Sequence, residues 1–392
     1  MKPQILFKMI FVFFLISLSS CTQEQKKAEE PTNTAPMSEE KRSWKTQMQL
    51  LEKTLTELYP VAYDAKKFNA SENEEMILKN LETLKTLAKE VNHSPMTAIS
   101  DPSLQFISID FKEQIELTWS SFLDKKKEFA RFNVLHLSSY CIECHTHNSY
   151  GPSFGSEKLS QQLAPLNSFE KAEYLTAIRR YSDALKAYNE FFQDTKSSYN
   201  DFFKTEKAAQ TSLAITIRYM KNSAETESII RSLQKAQNLP LYLKRSLDIW
   251  LKDTDAWKKE KKSSLSTTTV RKRLDQVQTR RLEGGSLAGE VLVLRSLSDL
   301  HDLLVKPLKG EKMSETLYLL GLAYSQTEGS LFLNLDEKYF ETCMRQNPKS
   351  PWAKKCYEKL EEALTSDYSG SAGTFLPPEV KAKLEDLKKL VF

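Results

Sequence analysis

Apolar residues recur at intervals of three and four along most of the chain, the spacing that places them on one face of an α-helix. In the first half, this pattern occupies four segments at about 40–59, 72–92, 101–124 and 125–146. Pro60 is expected to end the first of these helices. We find no convincing run of alternating strand residues, and only 10 glycines are present. The sequence therefore predicts an all-α protein whose first half is an antiparallel four-helix bundle, because the links between the segments are short.

The helical pattern resumes at about residue 167 and fills the second half. Small residues at Ala172 and Ala184, with Tyr188 expected to pack between the two helices, resemble a tetratricopeptide repeat. A partial second match starts at Leu317 and includes Gly321. The resemblance implies an α-helical repeat domain, in which paired helices stack to bury a continuous core.

The chain opens with MKPQILFKMIFVFFLISLSSC, in which two lysines accompany a short apolar run. This run falls short of the ~20 apolar residues that a membrane-spanning helix needs, so it indicates a secretory signal. It ends in Leu18-Ser19-Ser20-Cys21, which resembles a bacterial lipobox. The resemblance implies cleavage before Cys21 and acylation of that cysteine. The residue after Cys21 is Thr22 and not an aspartate. In this respect the chain resembles lipoproteins that are sent to the outer membrane. The alternative is an ordinary signal peptide with a chance cysteine.

The next stretch, TQEQKKAEEPTNTAPMSEE, has almost nothing to bury and is expected to be a disordered tether. It would hold the folded part beside the membrane, in the periplasm. The net charge of +4 comes from 56 basic and 52 acidic residues. This near balance gives no reason to expect nucleic acid as a partner. The expected partners are the membrane, through the lipid on Cys21, and a redox protein.

The densest chemistry lies at Cys141-Ile142-Glu143-Cys144-His145. This C-x-x-C-H spacing is that of c-type haem attachment. Two thiols must reach two vinyl groups along one porphyrin edge, and the next residue must lie beneath the iron. Cys141 and Cys144 are therefore expected to bind one covalent haem c, with His145 as the proximal iron ligand. The alternatives are a zinc site that also uses His147, a disulfide oxidoreductase, or a plain disulfide.

A four-helix bundle with C-x-x-C-H on its last helix resembles the class II cytochromes c, which include cytochrome c′ and its low-spin relatives. In the low-spin members, a methionine early in the first helix binds iron opposite the histidine, and Met48 occupies that place. Antiparallel packing supports this choice, because the first helix begins where the fourth one ends. The loop between the second and third helices lies at the same end, so His93 and Met96 are reserve candidates. In the high-spin members this face of the iron is open.

Two more cysteines lie in the second half. Cys343 and Cys356 flank the turn at 347–351, and two antiparallel helices joined there would bring them within disulfide reach. Two buried free thiols are the alternative, but an oxidising compartment favours the bridge. Basic residues from Lys258 to Arg281 form a further stretch. They are expected to be solvated, with anionic lipid or an acidic redox partner as the alternative reading.

The expected organisation is a signal peptide at 1–20, a tether at 21–39, a haem domain at 40–150, a linker at 151–165, a helical repeat domain at 166–365, and a C-terminal loop and docking helix at 366–392. The expected function is single-electron transfer by a membrane-tethered monohaem cytochrome whose repeats dock a partner. The chain is not expected to be an enzyme. A peroxidase is the enzyme alternative, but the sequence has no second haem motif and no persuasive distal acid/base pair. The alternatives are a haem protein that senses a diatomic gas, and a scaffold or assembly lipoprotein with an incidental haem.

Overall fold

The computed structural model describes residues 44–92, 101–147, 159–194, 202–236, 239–260, 265–327, 333–371 and 373–392. Over these residues the chain is predominantly helical. The strands described there are β1 (Ser369–Gly370) and β2 (Gly373–Thr374), which pair antiparallel. The predicted all-α class is therefore confirmed.

The first half contains the four predicted long helices and one short helix between the first two. They are α1 (Trp44–Ala62), α2 (Ala65–Asn69), α3 (Glu74–Asn92), α4 (Ser103–Leu123) and α5 (Lys127–His147). The short helix was not predicted from the apolar pattern. Its first turn is held by the Asp64 carboxylate, which accepts hydrogen bonds from the backbone N–H groups of Lys66 and Lys67. Such a cap stabilises even a single turn.

The prediction that Pro60 ends the first helix is wrong, because α1 continues to Ala62. A proline this close to a helix end removes only one hydrogen bond of the ladder. The ladder continues beyond the proline, since the Tyr63 N–H donates to the Tyr59 carbonyl at 2.9 Å. Leu58, Tyr59 and Ala62 are fully buried, so packing favours the extra residues.

The second half continues as paired helices. They are α6 (Leu159–Leu163), α7 (Ser168–Ala177), α8 (Tyr181–Gln193), α9 (Phe202–Ala214), α10 (Ser223–Gln234), α11 (Leu241–Lys259), α12 (Thr267–Leu274), α13 (Val277–Gly284), α14 (Glu290–Leu304), α15 (Gly310–Tyr324), α16 (Asp336–Gln346), α17 (Pro351–Asp367) and α18 (Pro378–Val391). A π-helical segment (Ile215–Tyr219) extends α9, and a 3-10 turn (Ser286–Gly289) precedes α14. The helix α6 lies within the segment predicted to be a linker.

The predicted small residues lie where helices of the second half approach each other closely. Ala172 of α7 and Ala184 of α8 are fully buried. The Tyr188 hydroxyl donates to the Glu173 carboxylate at 2.5 Å and so links α8 to α7. Gly321 of α15 faces Phe340 of α16 so closely that an added Cβ would lie 2.4 Å from the ring. Small residues therefore lie at the contact between α7 and α8 and at the contact between α15 and α16.

The helix α5 lies between the two halves. It packs against α1, α2 and α4 of the first half, and also against α7, the π-helical segment and α14. Residues 42–392 accordingly form one compact unit. Among the described residues, no helix is both long and apolar enough to cross a bilayer. The C-terminal helix α18 docks through Leu384, Leu387 and Val391, which are buried.

Cys343 of α16 and Cys356 of α17 lie at disulfide distance, with 2.18 Å between their Sγ atoms and 6.5 Å between their Cα atoms. The turn between the two helices is ordered by Ser350, whose hydroxyl accepts a hydrogen bond from the Trp352 N–H. Pro351 occupies the first position of α17, where its missing N–H costs no helical bond.

Candidate functional site

The C-x-x-C-H motif forms the last turns of α5. Cys141 is buried, and Cys144 and His145 are half-buried. Cys141 and His145 are four residues apart and therefore share one face of the helix. The two cysteines are not joined by a disulfide. The structure thus presents two separate thiols and an imidazole on consecutive turns of one helix.

Burial controls the protonation of these three groups. It raises the pKa of the Cys141 and Cys144 thiols to about 12. Burial, assisted by the positive charge of Arg179, lowers the pKa of His145 to about 3. At neutral pH the imidazole is therefore uncharged and keeps a lone pair for a metal ion. The thiols stay protonated, and a buried protonated thiol is a poor nucleophile.

Helix α1 runs antiparallel to α5. Near the start of α5, the Arg131 guanidinium donates to the carbonyl of Ala62, the last residue of α1, at 3.0 Å. Met48 precedes Ala62 by as many residues as His145 follows Arg131, which is a rise of about 21 Å along each helix. Half-buried Met48 therefore lies at the same end of the helix pair as His145. Its role as an iron ligand stays a prediction.

The other predicted ligands and the predicted lipidation site, which are His93, Met96 and Cys21, lie outside the described residues. The side chain of His147 also lies outside them. His136, nine residues before His145 on α5, is expected from that spacing to face away from the motif; it is half-buried and stacks on Phe132, with 6.4 Å between ring centroids. Among the described residues, no group of three or more His, Cys, Asp or Glu side chains could hold a metal ion.

Arg179 brings a positive charge to the motif from the second half. It is 4% exposed and lies in the turn between α7 and α8, with a φ of 62°. Non-glycine residues seldom adopt this left-handed conformation. Its charge acts to lower the pKa values of Cys141, Cys144 and His145. Sequence reasoning did not single out Arg179, because one arginine in a turn carries no local signal.

Glu143, inside the motif, forms a fully buried ion pair. Its two carboxylate oxygens accept hydrogen bonds from the Arg218 guanidinium at 2.9 and 3.0 Å, and both side chains are 0% exposed. Burial opposes the charge on Arg218, but the attraction of Glu143 outweighs it, so the Arg218 pKa is raised. Arg218 belongs to the π-helical segment, and such segments often occur at functional sites.

The ion pair continues into a longer polar chain. The Tyr324 hydroxyl donates to Glu143 Oε1 at 2.6 Å and lies 3.1 Å from His301 Nε2. His301 Nδ1 in turn lies 2.7 Å from Asp101 Oδ2. All five residues are buried. We call this set, Arg218, Glu143, Tyr324, His301 and Asp101, the buried polar chain. It ties the C-x-x-C-H motif and the residues just before α4 to three elements of the second half.

Three arginines of the basic stretch between Lys258 and Arg281 pair with acids inside the fold. Arg273 pairs with Asp299 at 2.8 Å, and Arg280 pairs with Asp253 at 2.8 Å. Arg271 pairs with Glu315. Arg273, which was expected to be solvated, is only 6% exposed, because its charge is balanced by acids within the fold.

We compared the chain with protein-family models, with curated proteins and with solved structures, and found no match in any of the three comparisons. The resemblances to class II cytochromes c and to tetratricopeptide repeats therefore rest on this chain's own motif, helix order and small residues.

Proposed function

We propose that this chain is a lipid-anchored c-type cytochrome of the periplasm that carries one covalent haem and transfers single electrons. The observation that carries the proposal is the arrangement of Cys141, Cys144 and His145 on the last turns of α5. Two unlinked thiols and an uncharged imidazole at this spacing match the chemistry of haem attachment.

The residues present fit a haem. When bound, a haem c supplies an iron that changes its charge by one electron. Cys141 and Cys144 would anchor the porphyrin by thioether bonds, and the uncharged His145 imidazole would bind the iron. Met48, at the same end of the α1–α5 pair, is the candidate second ligand, with His93 and Met96 in reserve. The buried cation of Arg179 would favour the reduced iron, which carries one positive charge less.

The second half has two roles in this proposal. Its residues Arg218 and Tyr324 donate hydrogen bonds to Glu143 of the motif, and Arg179 places a positive charge beside His145. Its paired helices, similar to tetratricopeptide repeats, would present the surface that docks a redox protein. Acylated Cys21 and the tether at 21–39 would keep the protein at the periplasmic face of the outer membrane.

The central test is covalent haem on protein produced with the haem-attachment machinery. We expect a c-type pyridine haemochrome spectrum and an intact mass that includes one haem. The paired change Cys141→Ala and Cys144→Ala should abolish both signals. The matched change Cys343→Ala and Cys356→Ala should keep them, because those cysteines lie in the second half. A wild-type chain without covalent haem would refute the proposal.

Absorption and resonance Raman spectra test the second ligand. We expect a six-coordinate low-spin ferrous haem that is lost in Met48→Ala and kept in Met76→Ala, since Met76 starts α3 at the far end of the bundle. A high-spin spectrum that Met48→Ala leaves unchanged would remove Met48 from the site. It would instead favour a five-coordinate haem that binds a diatomic gas.

A further inference from the structure

Two buried tyrosine hydroxyls beside the C-x-x-C-H motif have protons that no acceptor takes up. Tyr59 of α1 is 0% exposed and Tyr181 of α8 is 3% exposed. In the part of the chain that the structure describes, neither hydroxyl donates a hydrogen bond. A buried hydroxyl without an acceptor lowers stability, and most buried polar groups in proteins have a partner. The two phenols therefore indicate a site for a group that can accept their protons.

The rings of both tyrosines are fixed by other aromatic side chains next to the motif helix. Tyr59 meets Tyr174 of α7 edge to face, with 6.2 Å between ring centroids, and Tyr181 meets Tyr219 of the π-helical segment at 4.5 Å. Both α7 and the π-helical segment pack against α5. Burial raises the pKa of both phenols, and the nearby Cys141 thiol acts in the same direction. The two hydroxyls are thus held near the first cysteine of the motif.

Arg179 adds a positive charge at the same place. It precedes Tyr181 by two residues and is 4% exposed. Burial dominates the pKa values of Tyr181, Cys141 and His145, and the charge of Arg179 acts to lower each of them. A guanidinium group can only donate hydrogen bonds. Arg179 and the two phenols therefore offer N–H and O–H donors with one positive charge, which is the combination that suits an anion.

The neighbouring carboxylates of the chain already have partners. Glu143 is held within the buried polar chain. Glu173, whose charge also acts on Tyr59, accepts a hydrogen bond from Tyr188 at 2.5 Å and pairs with Lys207 at 2.5 Å. The acceptor for the two phenols is therefore expected from a group that the chain binds.

A haem c brings such an acceptor. It carries two carboxylates, on the pyrrole rings next to those that bear the vinyl groups. A buried carboxylate needs a cation and hydrogen bonds to compensate for lost water. We propose that Arg179, Tyr59 and Tyr181 bind a carboxylate of the haem that is attached at Cys141 and Cys144. This inference rests on the proposed function, and it gives the second half a direct share in holding the cofactor.

Resonance Raman spectra of the haem-loaded full chain test the contact, because the bending bands of the haem carboxylate side chains shift with the hydrogen bonds that they accept. We expect Tyr59→Phe, Tyr181→Phe and Arg179→Gln each to shift these bands, with covalent haem and iron spin state unchanged. The matched control is Tyr318→Phe, which removes a half-buried phenol that packs on Trp352. It should leave the bands in place.

Thermal unfolding distinguishes the haem carboxylate from a buried water molecule. In the chain made without haem, each phenol proton lacks an acceptor, so Tyr59→Phe and Tyr181→Phe should unfold at or above the wild-type temperature. In the haem-loaded protein the same changes remove a hydrogen bond, and they should lower the melting temperature by about 2 °C. A loss of equal size in both forms would identify water as the partner and overturn the inference.

The outcomes separate this inference from the proposed function. Carboxylate bands that none of the three changes shifts would overturn the carboxylate site, while the cytochrome assignment stands. A wild-type chain without covalent haem would refute the proposed function and the carboxylate site together.

Discussion

At the scale of single residues, the ion pair between Glu143 and Arg218 has the largest energetic consequence. Neither side chain meets water, so each charge depends on the other. Removal of one partner from a buried pair typically costs about 3–5 kcal/mol, while replacement of both by apolar groups costs far less. We expect Arg218→Met to lower the free energy of unfolding by that amount.

The double change Glu143→Leu with Arg218→Met should recover most of the loss, because neither charge of the buried pair remains. Urea denaturation followed by circular dichroism measures both variants. If Arg218→Met and the wild type have the same urea midpoint of unfolding, the buried pair does not contribute the expected stability.

At the scale of elements, the start of α3 is held to the turn before α5 by charge. Glu74 meets the Nζ atoms of Lys125 and Lys127 at 2.6 and 2.9 Å. The hydrogen bonds from Lys125 and Lys127 lower the pKa of Glu74 from 4.5 to about 2. A carboxyl group with a lowered pKa adds stability above its ordinary pKa, and this contribution disappears as pH falls through the lowered value.

Glu74→Gln should therefore be less stable than the wild type at neutral pH, and the difference should vanish near pH 2. Urea denaturation across this pH range gives the comparison. High salt should shrink the difference at neutral pH, since these side chains are partly exposed. Glu72→Gln, an exposed neighbour, serves as the control. A difference that stays constant with pH would contradict the ion-pair account.

The packing of α15 on α16 depends on one missing side chain. A Cβ at Gly321 would lie 2.4–2.8 Å from atoms of the Phe340 ring. Overpacking of this kind costs about 1–3 kcal/mol. We expect Gly321→Ala to lower the melting temperature, measured by calorimetry, and Gly370→Ala to leave it nearly unchanged, because nothing lies within 4 Å of a Cβ there. Equal melting temperatures for the two variants would refute the close approach.

The bridge between α16 and α17 closes a short loop, with a sequence separation of 13. In the chain-entropy model a loop of this size stabilises the fold by about 3 kcal/mol. The paired change Cys343→Ala and Cys356→Ala should lower the free energy of unfolding by roughly that amount. It should also remove the effect of a reducing agent on the unfolding curve. A wild-type curve that is already insensitive to reductant would argue against the bridge.

At the scale of the whole molecule, we expect the first half to depend on the second for its stability. Truncation after residue 158 would remove Arg218 and Tyr324 and leave the Glu143 carboxylate without either described partner. It would also uncover the face of α5 that packs on α7 and α14. We expect the truncated chain to lose cooperative thermal unfolding, measured by circular dichroism. A truncated bundle that still unfolds cooperatively would show that the first half is an independent domain.

The sequence predicted the elements far better than the connections between them. Apolar periodicity located α1, α3, α4 and α5 to within a few residues, because each helix buries one stripe. The motif was found because its spacing is local. The partners of Glu143 could not be found in this way, since Arg218 and Tyr324 lie 75 and 181 residues further along the chain. An arginine inside the apolar run of Ile215–Tyr219 was the one available signal.

The burial of Glu143 has a consequence for how freely this motif can be exchanged. In a C-x-x-C-H sequence, attachment chemistry constrains the cysteines and the histidine but not the two residues between the cysteines. Here one of those intervening positions is fixed by Arg218 and Tyr324. If CIECH were moved into another protein, the glutamate would lack the arginine that Arg218 provides here. If a different C-x-x-C-H sequence were placed in this chain, Arg218 would lack the carboxylate of Glu143. The motif and the second half are therefore expected to change together, as one inherited unit.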